Sequence, residues 1–159
     1  MHTACIHTTA SVAASLLLAF ASPVPAGEPV AQQVLIAAEA SRFKDAVVTE
    51  IAEALRQDGH TVNIVPLDKL AGEPTGNYRA ILLVNTCHAW RPSSEVRNFL
   101  RQARDDERKK LVVLTTAGSG ECELEASGVD AISSASKNVR RPAVTQSILD
   151  KLRARLAMP

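Results

Sequence analysis

The chain has 159 residues, a formal net charge of +1 and a hydrophobic fraction of 46%, the size and balance of one globular domain rather than two. Charged residues make up 22%, and the longest basic run is only Arg108, Lys109, Lys110, so no basic face points to nucleic acid. Aromatic residues are 3% of the chain, too few for a base-stacking surface.

The first charged side chain is Glu28, and before it Ala10 to Ala21 forms an apolar run. That run is too short to span a bilayer but suits the apolar core of a signal peptide. Val24, Pro25, Ala26 places small residues ahead of Gly27, so residues 1–26 are expected to be removed on export, to the periplasm or beyond the cell. The segment before the apolar run carries His2 and His7 but no Lys or Arg, which leaves a retained anchor as the other reading. Cys5 precedes the run rather than following it, so lipidation there is not expected. Processing leaves residues 27–159 as one domain, long enough to bury a core without metal or several disulfides. Its two cysteines, Cys87 and Cys122, read as a pair in an oxidising compartment or as two small buried hydrophobes.

Gln33 to Ala38 is an apolar run of strand length, and Phe43, Val47, Ile51 and Leu55 follow it at spacing four, which predicts strand then helix. Ser41 reads as the helix N-cap and Gly59 as its stop. Thr61 to Leu67 alternates around Val62 and Ile64, and Pro66 within it marks an edge strand, because its nitrogen cannot donate to a neighbour. Ala80 to Thr86 and Leu111 to Thr116 are near-continuous apolar runs, expected of central strands covered on both faces. Between them Pro92, Ser93 and Ser94 open a helix with Val96, Phe99, Leu100 and Ala103 on one face. A short strand over Asp130 to Ser134 and a helix carrying Val144, Ile148, Leu149, Leu152 and Leu156 end the chain. The connections Asp68 to Arg79 and Ala117 to Val129 show no helical stripe and are near the minimum length for a parallel crossover. Strands alternating with helices predict an α/β domain built on a five-stranded parallel sheet.

This succession, with a proline-bearing edge strand, YRAILLVNT and then LVVLTTAGSG, resembles the flavodoxin-like family over roughly Val34 to Leu156. The resemblance implies a doubly wound sheet of order 2-1-3-4-5, with the loops after the first, third and fourth strands gathered at one edge, where flavodoxins hold FMN. Flavodoxins wrap the FMN phosphate with a glycine-containing, hydroxyl-rich loop after the first strand. The corresponding residues here are Glu39, Ala40, Ser41, Arg42, Phe43 and Lys44, with no glycine, one hydroxyl and a carboxylate at the mouth. Arg42 and Lys44 either neutralise a different anion or are solvated beside the Ser41 cap.

After the third strand, Thr86 and the sole Trp, Trp90, stand where the family presents an aromatic to the flavin ring; Trp90 stacks on a planar ligand or packs on its own helix end. After the fourth, Thr115, Thr116, Gly118 and Ser119 match the second flavin-contacting loop. Ser134, Ser136 and Lys137 close the fifth strand and, with Thr115, Thr116 and Ser119, form the candidate pocket for a small anionic ligand; the bland reading is a serine-rich turn. Cys87, His88 and Cys122 supply three soft-metal donors where a structural zinc site takes four, so no metal is expected. Glu121, Glu123 and Glu125 read as a hydrated acidic loop rather than a calcium site. His60 has no candidate nucleophile near it in sequence, and no hydrolase triad is assigned. The reading is therefore an exported flavodoxin-like binding or interaction module, accessory to redox chemistry, with no cofactor expected, no nucleic acid, no stable membrane span and no protein partner specified. The alternatives are an FMN-binding electron carrier or reductase and a thiol redox protein using Cys87 and Cys122.

Overall fold

The computed structural model describes residues 33–118, 122 and 129–158. The proposed signal segment, Ser119 and the three loop glutamates lie outside them. Five strands, β1 (Gln33–Ala38), β2 (Thr61–Pro66), β3 (Ala80–Thr86), β4 (Leu111–Ala117) and β5 (Asp130–Ala135), form one parallel sheet in the order β2-β1-β3-β4-β5. Helices α1 (Arg42–Gln57), α2 (Ser94–Gln102), α3 (Asp105–Arg108) and α4 (Arg141–Leu156) complete the ordering expected from the sequence, apart from the single turn α3.

Alternate residues of each central strand serve opposite faces. Val34, Ile36, Leu82, Val84, Val112 and Leu114 pack with Val47, Ile51, Leu55, Ile148 and Leu152 of α1 and α4. Leu35, Ala37, Ile81, Leu83, Leu111 and Val113 pack on the other face with Val96 and Leu100 of α2 and with Leu67 and Leu70. Period-two alternation with every side chain apolar is what a doubly covered strand requires. β2 is the edge strand that Pro66 marks; Pro66 stands at its end beside Ala38, and Ile64 is 45% exposed.

Local signals set the ends of α1. Ser41 Oγ accepts from the Lys44 amide at 3.2 Å. At the far end Gly59 has φ +88°, donates to the Arg56 carbonyl, and lets the His60 amide reach the Leu55 carbonyl at 3.0 Å. This is the Schellman pairing that a left-handed residue makes possible. Two differences from the sequence expectation concern lengths. Leu67 leaves β2 to begin a 3-10 turn, and the whole β2–β3 crossover is two such turns, Leu67–Gly72 and Thr75–Asn77. β4 and β5 each run one residue further, to Ala117 and Ala135. Among the described residues no helix is long and apolar enough to cross a membrane.

Ile51 is fully buried between α1 and the sheet. Ile51→Ala is expected to destabilise by about 2 to 5 kcal/mol, the range for truncating a buried aliphatic side chain. It will be read as a lower denaturant midpoint at unchanged slope.

Candidate functional site

The carboxyl end of the sheet collects the β1–α1 and β3–α2 loops, the residues Ala117 and Gly118 at the end of β4, and the end of β5. At the first of these, Glu39 extends the β1 ladder by donating its amide to the Val84 carbonyl at 2.9 Å, then Ala40 and Ser41 lead into α1. One turn into the helix, Lys44 is 3% exposed. Its ammonium donates to Glu39 Oε2 at 2.7 Å and to Thr86 Oγ1 at 2.6 Å, and the Thr86 hydroxyl donates to the same Glu39 oxygen at 2.6 Å. A buried ammonium requires such partners, since an unpaired charge in the interior is far costlier than a paired one. Lys44 is thus neither solvated nor facing outward; it ties the β1 end, the α1 start and the β3 end together. Other donors of this turn are also engaged: the Ser41 amide donates to Asp45 Oδ1 at 3.3 Å, and the Lys44 amide serves the Ser41 cap. Arg42 is exposed.

The opposite face carries a residue that the sequence reading passed over. Asn85 is fully buried. Its amide nitrogen donates to the Leu114 carbonyl at 3.1 Å and to Thr115 Oγ1 at 3.0 Å, while its Oδ1 accepts from the Ser93 amide at 3.1 Å. Asn85 therefore joins β3 to β4 and holds the start of α2. Its signal in the sequence is a polar residue interrupting an apolar run one position before the strand ends, a pattern that a strand-end loop also produces.

Beyond Thr86 the chain turns tightly. The Cys87 amide donates to the Thr116 carbonyl at 2.8 Å, and His88 and Arg91 exchange both backbone hydrogen bonds, at 2.8 and 3.1 Å. The two residues between them, Ala89 (φ +48°) and Trp90 (φ +66°), both lie at positive φ, the pattern of a type I′ turn. Such a turn ordinarily takes Asn-Gly, and an L side chain pays about 1 to 2 kcal/mol there. Trp90 is 70% exposed and does not pack on the start of α2. The Cys87 and Cys122 sulfurs are 2.11 Å apart with Cα atoms 6.0 Å apart, within the span that a disulfide bridges. Ser133 Oγ donates to the Cys122 carbonyl at 3.0 Å.

A shallow cleft of about 290 Å³ lies between the ends of β3, β4 and β5. Of the candidate residues, Thr86, Thr116, Gly118, Ser136 and Lys137 line it. Thr115 does not, because it alternates onto the α2 face and accepts from Asn85. Ser134 is buried and donates to the Ala135 carbonyl, and Ser41 is spent on its cap. Among the described residues no three His, Cys, Asp or Glu side chains converge as a metal site.

No family model and no curated protein sequence matches this chain. Solved structures do, at the level of fold. Flavodoxin 2 from Bacillus cereus is 14% identical with a TM-score of 0.55, the alignment covering 77% of this chain and 98% of that one. An archaeal flavodoxin is 7% identical at TM-score 0.54, with the same coverages. A flavo di-iron protein variant from Thermotoga maritima is 12% identical at TM-score 0.55, but covers 81% of this chain and only 37% of that one. The chain thus has the fold of a whole flavodoxin and spans little more than a third of the flavo di-iron protein.

Asn85→Ala is expected to cost about 1 to 3 kcal/mol for the stranded Ser93 amide alone, in addition to the small cavity it opens. Thermal and denaturant unfolding check the loss. Amide exchange at the start of α2, faster than in the parent protein, separates this role from a general loss of stability.

Proposed function

We propose that this chain is an exported binding module of flavodoxin-like fold that takes a small anionic ligand at the carboxyl edge of its sheet and does not hold FMN. The observation that carries the reading is the Glu39, Lys44, Thr86 network. It stands where the family's phosphate loop would stand, and its residues do not fit a phosphate. The one ammonium there is already paired with a carboxylate, the cap and the first-turn carboxylate hold two of the loop amides, and no glycine opens the backbone to an anion. A flavin phosphate at that turn would meet the Glu39 charge, and an uncompensated buried charge costs several kcal/mol. Stacking on Trp90 would add about 1 to 3 kcal/mol, weaker than millimolar affinity by itself.

What supports an anion instead is the neighbouring cleft, where Lys137 and the Ser136 hydroxyl stand beside Thr86 and Thr116, whose own hydroxyls donate to Glu39 and to the Asn85 carbonyl. Lys137 is exposed and forms no ion pair among the described residues. Export and the Cys87–Cys122 bridge belong to the same reading, since an oxidising compartment both forms and keeps such a bond. The bridge closes 35 residues and, on the chain-entropy model, stabilises by about 3 to 4 kcal/mol.

Titration of the purified protein with FMN, with riboflavin as the phosphate-free control, is expected to show no submicromolar affinity for either. Inorganic phosphate or a small carboxylate is expected to raise the melting temperature of the parent protein but not of Lys137→Ala. Submicromolar FMN binding with much weaker riboflavin binding would put the electron-carrier reading first. For the bridge, thiol counting on denatured protein from an exporting host is expected to find no free thiol; two per chain would refute the disulfide.

A further inference from the structure

The face of the sheet covered by α2 carries a groove of about 410 Å³, on the far side from the cleft and independent of it. Its origin is the shortened β2–β3 crossover. A doubly wound sheet normally places a helix there, whereas this chain passes with two 3-10 turns. The turns fill the space over Leu35 and Leu83 with Leu67 and Leu70 but leave a channel between themselves and α2. The buried Leu67, Leu70 and Ala103 form its floor, and the partly exposed Phe99 is its apolar wall.

Every ionisable side chain lining the groove is a carboxylate: Asp68, Glu73, Glu95 and Glu107. Asp68 and Glu95 belong to the starts of their elements and Glu107 to the turn after α2, so acidic groups stand at both ends of the apolar stretch. Glu95 is held below the usual carboxylate range by its own backbone amide and by Ser94, and Glu107 by the Thr75 hydroxyl and the Arg104 amide. The chain's own cations leave much of this charge unmet. Lys69 lies 3.6 Å from Asp68 in an exposed pair, which is worth little, and the exposed Arg104 side chain lies 3.9 Å from the largely buried Glu107. Glu73 and Glu95 have no ion pair among the described residues.

We propose that this groove docks a basic segment of a partner protein, with apolar side chains laid on the partly exposed Phe99 and Lys or Arg side chains reaching the carboxylates at either end. Charge complementarity selects the occupant: an apolar channel with single-sign rims repels acidic segments and attracts those whose long cationic side chains also bury their aliphatic stems. The volume admits a few side chains rather than a whole helix, so the contact is a grip on a segment and not completion of the missing layer.

The test uses the isotope-labelled full chain and a short synthetic peptide of alternating leucines and lysines. A leucine and glutamate peptide and spermidine serve as the comparison arms. The basic peptide is expected to shift the resonances of Leu67, Leu70, Phe99 and Ala103. The Asp68→Asn, Glu95→Gln double variant should weaken that binding about threefold to tenfold, with a similar loss on raising the salt. Both positions are on the rim, and an unchanged melting temperature confirms that the variant is folded. Shifts confined to other surfaces, no shift at all, equal binding by the acidic peptide, or an affinity unchanged in the variant would overturn the proposal. Spermidine binding at the same residues and displacing the peptide would replace it with a free amine, and concentration-dependent self-association that shifts the same residues would replace it with a second copy of the chain. Each outcome is independent of what binds at the Lys137 cleft.

Discussion

A parallel strand in the middle of a sheet has hydrogen-bonding neighbours on both edges and side chains on both faces, so the sheet survives only if both faces are covered. In this chain the covering is unequal. α1 and α4, each of 16 residues, lie against one face, while the other has α2 of 9 residues and a pair of 3-10 turns. Between them the two layers fully bury Val34 to Ala37, Ala80 to Val84 and Leu111 to Leu114 of the central strands. The lighter one does so with leucines from a turn, Leu67 and Leu70, and so leaves its outer surface channelled. The acid-rimmed groove is a consequence of economy in that layer.

The same constraint sends the polar chemistry to the strand ends. After the exposed Gln33 that opens β1, side chains in β1, β3 and β4 stay apolar until the carboxyl end, where Asn85, Thr86, Thr115 and Thr116 appear in two adjacent strands. Their alternation divides them. Asn85 and Thr115 turn to the α2 face and are consumed in fixing the loop before α2. Thr86 and Thr116 turn to the other side, where Thr86 meets Lys44 and Glu39 and both line the cleft. A site built in this way has a rigid floor, because each hydroxyl belongs to a strand whose register is already set.

How much of this was legible depends on the range of the signal. Strands and helices are written in short-range periodicity: Val47, Ile51 and Leu55, spaced four apart in the sequence, are fully buried in α1, with Ala52 beside them. Ser41 and Gly59 mark the ends of α1 for equally local reasons. The Lys44 contact was not legible, because its partner Thr86 is 42 residues away and a lysine near a helix start is ordinarily solvated. The turn at Ala89 and Trp90 was hidden for the opposite reason: it has none of the Gly or Asn residues that announce positive φ, and tertiary bonds on either side hold it in place. The groove was invisible as well, since it arises from a segment too short to form a helix and so leaves no pattern of its own.

A net charge of +1 conceals a division of charge that follows from the fold. On the α4 side, Arg141, Lys151, Arg153 and Arg155 are answered by Glu50, Asp130 and Asp58, so those cations fasten the helix to its neighbours. At the carboxyl edge Glu39 is matched by Lys44, which leaves Lys137 as the charge lining the cleft. Along the groove the excess is negative and lies over an apolar floor. Two surfaces of opposite sign on one small domain would draw different partners through the same Coulomb field, and the sheet between them keeps the two surfaces apart. Binding at either surface, as proposed, would then leave the other open.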